Sequence, residues 1–371
     1  MTQFLRSRLV TVAAGSLTAL VLAGCSVIGT DSNPQPQPQN ESSAGATETN
    51  EPVTVTVVSH DSFNMDETVL ADFTAETGIT IEVLAQEDAG TLANQLVLTK
   101  GSPLADVVFG IDNTFASRVI SAEVLEPFTS DVLADDRANY AITGAGSEQL
   151  VPIDYGDVCV NVDHEWFAER DLEEPVTLED LARPEYADLL VVQNPANSSP
   201  GLAFLFATIG AFGEDGWQDY WQSLADNGVK VSNSWTDAYS VDFSGSSGEG
   251  PRPLVVSYAS SPPYEVPEGA TEAPTGSLLE TCFRQVEYAG VLSGTEHPEA
   301  AAQVIEFFLS SEFQEAIPDE MYMYPVRSDV ELPEEWANFA AVADEPFQVP
   351  EESIENHREE WIKTWTELVI G

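Results

Sequence analysis

The sequence predicts an α/β protein of two lobes, each a mostly parallel sheet flanked by helices, and three observations point there. From Val53 onward, β-branched runs alternate with apolar helical stripes, the pattern of βαβ units and hence of a parallel sheet. The alternation pauses at a run from Leu150 to Gly156, which reads as a strand crossing between lobes, and starts afresh at Leu189. The chain that follows its leader and spacer, about 320 residues, exceeds what one hydrophobic core usually serves.

The leader comes first. Arg6 and Arg8 precede an uncharged stretch from Leu9 to Leu22, shorter than the ~20 residues of a membrane span but suited to the core of a cleavable export signal. Leu22-Ala23-Gly24-Cys25 closes it. Small residues before a cysteine are the pattern of bacterial lipoproteins, in which that cysteine becomes the lipid-modified first residue. Residues 1–24 are therefore expected to be a signal peptide and Cys25 a lipid attachment site, which places the protein outside the cytoplasm, anchored to the outer face of a membrane by lipid alone. Residues 25–52, with Pro34-Gln35-Pro36-Gln37-Pro38-Gln39, bury too little apolar surface to offset chain ordering and read as a tether.

Val53–Val58 reads as the first buried strand, followed by a helix with Val69, Leu70 and Phe73 on one face and Gly78 at its end. Ile79–Leu84 is a second strand, Leu92 and Leu96 mark a second helix, and Asp106–Ile111 is a third strand. The first lobe is thus expected over 53–155. The second, over 156–286, holds the strand Leu189–Gln193, an apolar helix from Gly201 to Phe212, a helix with Trp217, Tyr220, Trp221 and Leu224 on its core face, and the strands Val229–Ser232 and Leu254–Tyr258. Residues of about 287–318 are expected to return to the first lobe as one long helix bearing Val304, Ile305, Phe308, Leu309, Phe313 and Ile317, stopped by Pro318. Residues of about 319–371 are expected to pack on the second, ending in a helix with Ile354, Trp361 and Trp365 on one side.

Sixty-three acidic residues against 13 basic ones give a formal charge of −50, which argues against nucleic acid and favours cationic partners. Cys159 and Cys282 lie in strand-like runs of an exported domain, where disulfides persist, and a bridge between them needs those strands to be neighbours. Neither cysteine has the spacing of a zinc site. No nucleophile elbow, zinc-binding His-Glu-x-x-His helix or phosphate-cradling Gly-rich loop with lysine is present, and only Lys100, Lys230 and Lys363 could form an imine. Catalysis, a cofactor and a bound metal are accordingly not expected.

Open parallel sheets bind ligands at the carboxyl ends of their strands. Here those ends carry His60-Asp61, Gln86-Glu87-Asp88, Asp112-Asn113 and Tyr258-Ala259-Ser260-Ser261-Pro262-Pro263-Tyr264. Acidic groups of one lobe thus face aromatics of the other. Asn197-Ser198-Ser199-Pro200-Gly201 reads either as a plain helix start or as an anion seat built from free backbone N–H groups. Trp235, at the head of Trp235-Thr236-Asp237-Ala238-Tyr239, reads as core or as ligand wall.

Eight blocks then occur in order: Asp61-Ser62-Phe63, Glu87-Asp88, Phe109-Gly110-Ile111-Asp112-Asn113, Pro152-Ile153-Asp154-Tyr155-Gly156, Ser199-Pro200-Gly201-Leu202, Trp235-Thr236-Asp237-Ala238-Tyr239, Ser257-Tyr258-Ala259-Ser260-Ser261-Pro262 and Met323-Tyr324-Pro325-Val326. Their order and spacing resemble the thiamine-binding proteins of bacterial ABC importers, over essentially the whole chain from Val53. The resemblance implies a two-lobed periplasmic-binding-protein fold of type II kind, with thiamine or its mono- or diphosphate in the interlobe cleft and delivery to an ABC permease with its ATPase. It places Asp88, Ala89, Ser198, Ser199, Trp235, Tyr258, Ala259, Ser260 and Ser261 at the ligand, with Tyr264 as an added aromatic wall. The chain departs from the pattern at three places, with His60 before Asp61, Ala89 after Asp88, and Tyr322 before the Met-Tyr-Pro-Val block. Two alternatives use the same fold: a binder of another cation, a polyamine or ferric iron, and an enzyme of thiamine-pyrimidine metabolism. Iron binders commonly present adjacent tyrosines, and Tyr322-Met323-Tyr324 is not that arrangement.

Overall fold

A nine-stranded mixed sheet organises the computed structural model, which describes residues 52–371. The expected signal peptide over 1–24, Cys25 and the tether as far as residue 51 lie outside the described residues. In chain order the strands are β1 (Val53–Ser59), β2 (Ile79–Ala85), β3 (Val107–Asp112), β4 (Val151–Asp163), β5 (Leu190–Gln193), β6 (Lys230–Ser232), β7 (Leu254–Tyr258), β8 (Thr275–Val291) and β9 (Tyr324–Pro325). They lie side by side as β2-β1-β3-β8-β4-β7-β5-β6, with β9 added to β4.

At one end β1 pairs in parallel with β2 and β3; at the other, β5 pairs in parallel with β6 and β7. Between these two halves run β4 and β8, antiparallel to one another and 13 and 17 residues long. The crossing run at 150–156 and the strand-like run around Cys159 are thus one continuous strand. Strand β8 serves both halves of the sheet: its Glu287–Val291 segment pairs with β3 while its N-terminal segment pairs with the far end of β4. Two long strands shared by both lobes make the connection a double one, and they carry their side chains from one lobe into the other.

The helices that matter to the site are α1 (Glu67–Thr77), α2 (Ala89–Leu98), α3 (Ser199–Phe212), α4 (Trp217–Asp226), α5 (Pro298–Phe308), α6 (Ser311–Met321) and α7 (Glu351–Val369). Asp66 starts α1 by accepting the Thr68 N–H at 2.6 Å, and Gly78 ends it in the left-handed conformation. The single long helix expected over 304–317 is two helices, α5 and α6. Ser310 breaks it, since its side chain accepts the Phe313 N–H and caps a new helix. Pro318 does not stop α6 but lies inside it, and the helix runs on to Met321 before Tyr322 closes it at φ 56°. Among the described residues no helix is long and apolar enough to cross a membrane.

One core lies between β1, β3 and β8 and the helices α1, α5 and α6, built on Val55, Val57, Phe109, Val304, Phe308, Phe313 and Ile317. Met323 and Val326 join it, because β9 pairs with β4 at Asp154 and Tyr155. The larger core runs from the second half, where Phe204, Phe206, Trp217, Trp221, Trp361 and Trp365 are all buried, into the first, where Val58, Leu92, Val108 and Phe115 belong to it. Helix α7 closes that core through edge contacts of Trp361 with Phe206 and Trp365 with Trp221. It also reaches the first half, where Arg358 donates to the Thr114 carbonyl and lies over the Phe115 ring. Cys159 on β4 and Cys282 on β8 are bridged, fully buried against Ala259 and Ala343.

Candidate functional site

A cavity of about 340 Å³ opens between the two halves of the sheet, within the range of small-molecule sites. Nine of the twelve side chains expected at the ligand line it: His60, Asp88, Ala89, Ser199, Trp235, Tyr258, Ser261, Tyr264 and Tyr322. Ser198, Ala259 and Ser260 do not. Ser198 is buried at the N-cap of α3, Ala259 packs against the disulfide, and Ser260 donates from Oγ to the Tyr322 carbonyl at 2.6 Å. Ser260 therefore acts one step back, holding Tyr322 in its left-handed backbone conformation at the cavity.

One wall is a relay of polar groups. Tyr258 donates its hydroxyl to Gln285 Oε1 at 3.1 Å, Gln285 Nε2 donates to Glu287 Oε1 at 3.1 Å, and Glu287 Oε2 lies 3.4 Å from His60 Nε2. His60 rests on Gly110, where a Cβ would come within 2.2 Å of the imidazole; the same glycine has φ +86° at an irregularity in the β3–β8 pairing. Only glycine meets both demands. Burial lowers the His60 pKa, but the Glu287, Asp88 and Asp61 carboxylates outweigh it and hold the group above its ordinary value. Behind Glu287, directly across the β4–β8 ladder, lies the fully buried Asp154. Burial, the Glu287 charge and a hydrogen bond to Glu287 raise its carboxyl well above the usual range.

The opposite wall is aromatic. Trp235 donates Nε1 to Ser257 Oγ at 2.9 Å and stacks on Tyr239 with ring centres 5.0 Å apart. Tyr264 meets Tyr322 edge to face at 4.9 Å. Tyr264 is 60% exposed, so it stands at the rim. Glu265 beside it and Glu320 on α6 add carboxylates to the lining, and burial pushes the Glu265 carboxyl up. Five carboxylates (Asp61, Asp88, Glu265, Glu287 and Glu320) and one histidine line the cavity, with no lysine or arginine.

The start of α3, read as a helix start or an anion seat, already holds an anion belonging to the chain. Asp88 Oδ1 accepts the Ala89 N–H at 2.8 Å and the Ser199 N–H at 3.2 Å. Burial pushes the Asp88 carboxyl up, against the pull of Ser198 and of these two N–H groups. The Ser199 hydroxyl donates to Asp112, a buried carboxyl pushed up to about 7 chiefly by burial and opposed by its bonds to Thr114. Gly90 N–H donates to the Asn197 carbonyl at 3.0 Å, an approach that a Cβ would block at 2.5 Å. Asp88, Gly90 and Asp112, all from the first half, thus clasp the first turn of α3 in the second.

Sequence reasoning misses Glu287, Glu265, Glu320 and Tyr239. Two of them leave a signal. Gln285 and Glu287 are polar residues standing between Phe283 and Ala289 on one face of a strand, and Tyr239 follows Trp235 at helical spacing. Glu265 and Glu320 leave none, being acidic residues in an acidic chain. Among the described residues no group of three His, Cys, Asp or Glu side chains is arranged to hold a metal ion.

Residues 102–352 match the family described as bacterial extracellular solute-binding protein. The thiamine-binding periplasmic protein of Escherichia coli (strain K12) is 30% identical over 320 residues, covering 85% of this chain and 93% of the relative. A solved structure of a periplasmic thiamin binding protein superposes with a TM-score of 0.74 at 28% identity, over 85% of this chain and 96% of that one. Iron-bound HitA from Pseudomonas aeruginosa shares the fold at a TM-score of 0.64 and 20% identity, over 85% of this chain and 99% of that one.

Proposed function

The chain belongs to the family of bacterial extracellular solute-binding proteins, and on that premise we propose that it captures thiamine or a thiamine phosphate outside the cytoplasm and passes it to an ABC permease, without catalysing a reaction. The observation that carries this reading is the make-up of the cavity, which among the described residues is lined by aromatic faces and five carboxylates with no lysine or arginine. Thiamine carries a permanently cationic thiazolium ring, and an aromatic face attracts such a cation by ~0.5–2 kcal/mol once both are desolvated. Trp235, Tyr264 and Tyr322 supply those faces. Asp88 and Glu287 would supply countercharge and hydrogen-bond acceptors for the aminopyrimidine, and Ser199 and Ser261, which also line the cavity, would meet the hydroxyethyl tail. Calorimetric titration with thiamine, its phosphates, spermidine and ferric citrate tests the assignment. One-to-one saturable binding of a thiamine species is expected; binding of spermidine or iron with no response to any thiamine species sinks it.

The same proposal places the mature chain on the outer face of the membrane through lipid on Cys25. Cys25→Ala is expected to release the protein into the medium or leave it unprocessed. A wild-type protein found free of lipid, with a mature terminus away from Cys25, would remove the anchor from the proposal.

A further inference from the structure

We propose that His60 decides which charge class of ligand the cavity accepts, a neutral imidazole favouring a bare organic cation and a protonated one admitting the same cation bearing a phosphate ester. The inference rests on the thiamine reading above and goes further, since it assigns the discrimination to one side chain. Among the described residues His60 is the single lining group able to become positive. Its ring is fixed in place by Gly110 beneath it and by Glu287 at 3.4 Å from Nε2.

A phosphate entering a cavity lined by carboxylates needs a positive partner, and helix N-termini are the usual alternative. At the two helix starts beside the cavity that alternative is already engaged by Asp88, which accepts the Ala89 N–H of α2 and the Ser199 N–H of α3. The charge of a phosphate ester is therefore left to His60. The charged groups acting on the imidazole are Glu287 on β8, Asp88 ahead of α2 and Asp61 on its own segment, and the Tyr258 phenol on β7, Asp112 on β3 and Asp154 on β4 lie in turn in the field of Glu287. The acidic neighbours favour the imidazolium and place its titration above the ordinary 6.5.

The sign follows from linkage. A thiazolium in the cavity repels the His60 proton, so thiamine binding releases it and affinity rises with pH. A phosphate retains or takes up that proton, so the affinity of the ester rises less or falls. One unit charge a few ångströms from another across a protein-like medium changes affinity by about tenfold or more.

The test is calorimetry on the wild type and on His60→Asn, with thiamine and thiamine monophosphate, from about pH 6 to about pH 8.5. In the wild type the preference for thiamine over its monophosphate is expected to grow about tenfold across that range. In His60→Asn only the ligand's own phosphate titration, near ~6, should remain. A wild-type measurement in two buffers of different ionisation enthalpy stands independent of the variant. Proton release with thiamine and none, or uptake, with the monophosphate is expected. Equal proton release with both ligands, or a variant whose preference tracks the wild type across the pH range, overturns the role of His60. Absence of binding by any thiamine species overturns the thiamine reading itself, and this inference with it.

Discussion

Trp221→Ala is expected to lower the stability of the protein by about 3–5 kcal/mol, whereas Trp235→Ala should leave stability nearly intact and weaken thiamine binding by about 1–3 kcal/mol. The two indoles differ in what they touch. Trp221 is 1% exposed on α4, in edge contact with Phe204 at 5.7 Å and Trp365 at 5.3 Å, and donates Nε1 to Thr208 Oγ1 at 2.9 Å. Its removal opens a large void and takes a partner from a buried hydroxyl. Trp235 is only partly buried and presents its ring at the cavity. Urea unfolding together with thiamine titration separates the cases. If Trp235→Ala folds normally and binds as tightly as wild type, the aromatic wall has been misplaced; a shared loss of affinity in both variants reports unfolding alone. Tyr264→Ala should weaken binding less than Trp235→Ala, because that ring is exposed at the rim.

The contrast between these tryptophans also marks what the sequence could and could not tell. Trp217, Tyr220, Trp221 and Leu224 are legible as a core face because helical spacing and burial coincide, and all four are buried in α4. Trp235 is legible as a ligand wall only through the order of blocks around it, since a short helix offers no stripe to read. The α5–α6 break is hidden for a related reason. The apolar positions from Val304 to Ile317 remain compatible with one helix, and a single serine cap decides otherwise. Glu287 shows a third limit. Its importance comes from β8 being shared by both halves, so that one residue faces Asp154 across a ladder and meets His60 on the cavity wall. No local pattern encodes that meeting. Gly110 is the opposite case, since a glycine inside an apolar strand announces a bulge or a close approach, and the approach is that of the His60 ring.

Removing the Cys159–Cys282 bridge is expected to cost about 2–5 kcal/mol of stability. The bridge spans 123 residues, a segment that contains β5, β6, β7, α3 and α4, so it restrains the unfolded second lobe far more than the folded one. In the folded state β4 and β8 remain paired on both sides of the bridge, with Val158 opposite Phe283 and Val160 opposite Leu278. The Asp157 carboxylate also stays bidentate to Arg284 at 2.8 and 2.9 Å. The loss should therefore appear as a lower urea midpoint for Cys159→Ala/Cys282→Ala, while thiamine affinity of the folded double variant stays near wild type. Both cysteines are fully buried, so reductant alone should act slowly below the transition and quickly within it. A double variant with an unchanged midpoint would show that the unfolded chain gains little freedom without the bridge. A variant that folds stably but loses thiamine binding would instead make the bridge a support for the Tyr258–Ser261 loop, to which it is joined through Ala259.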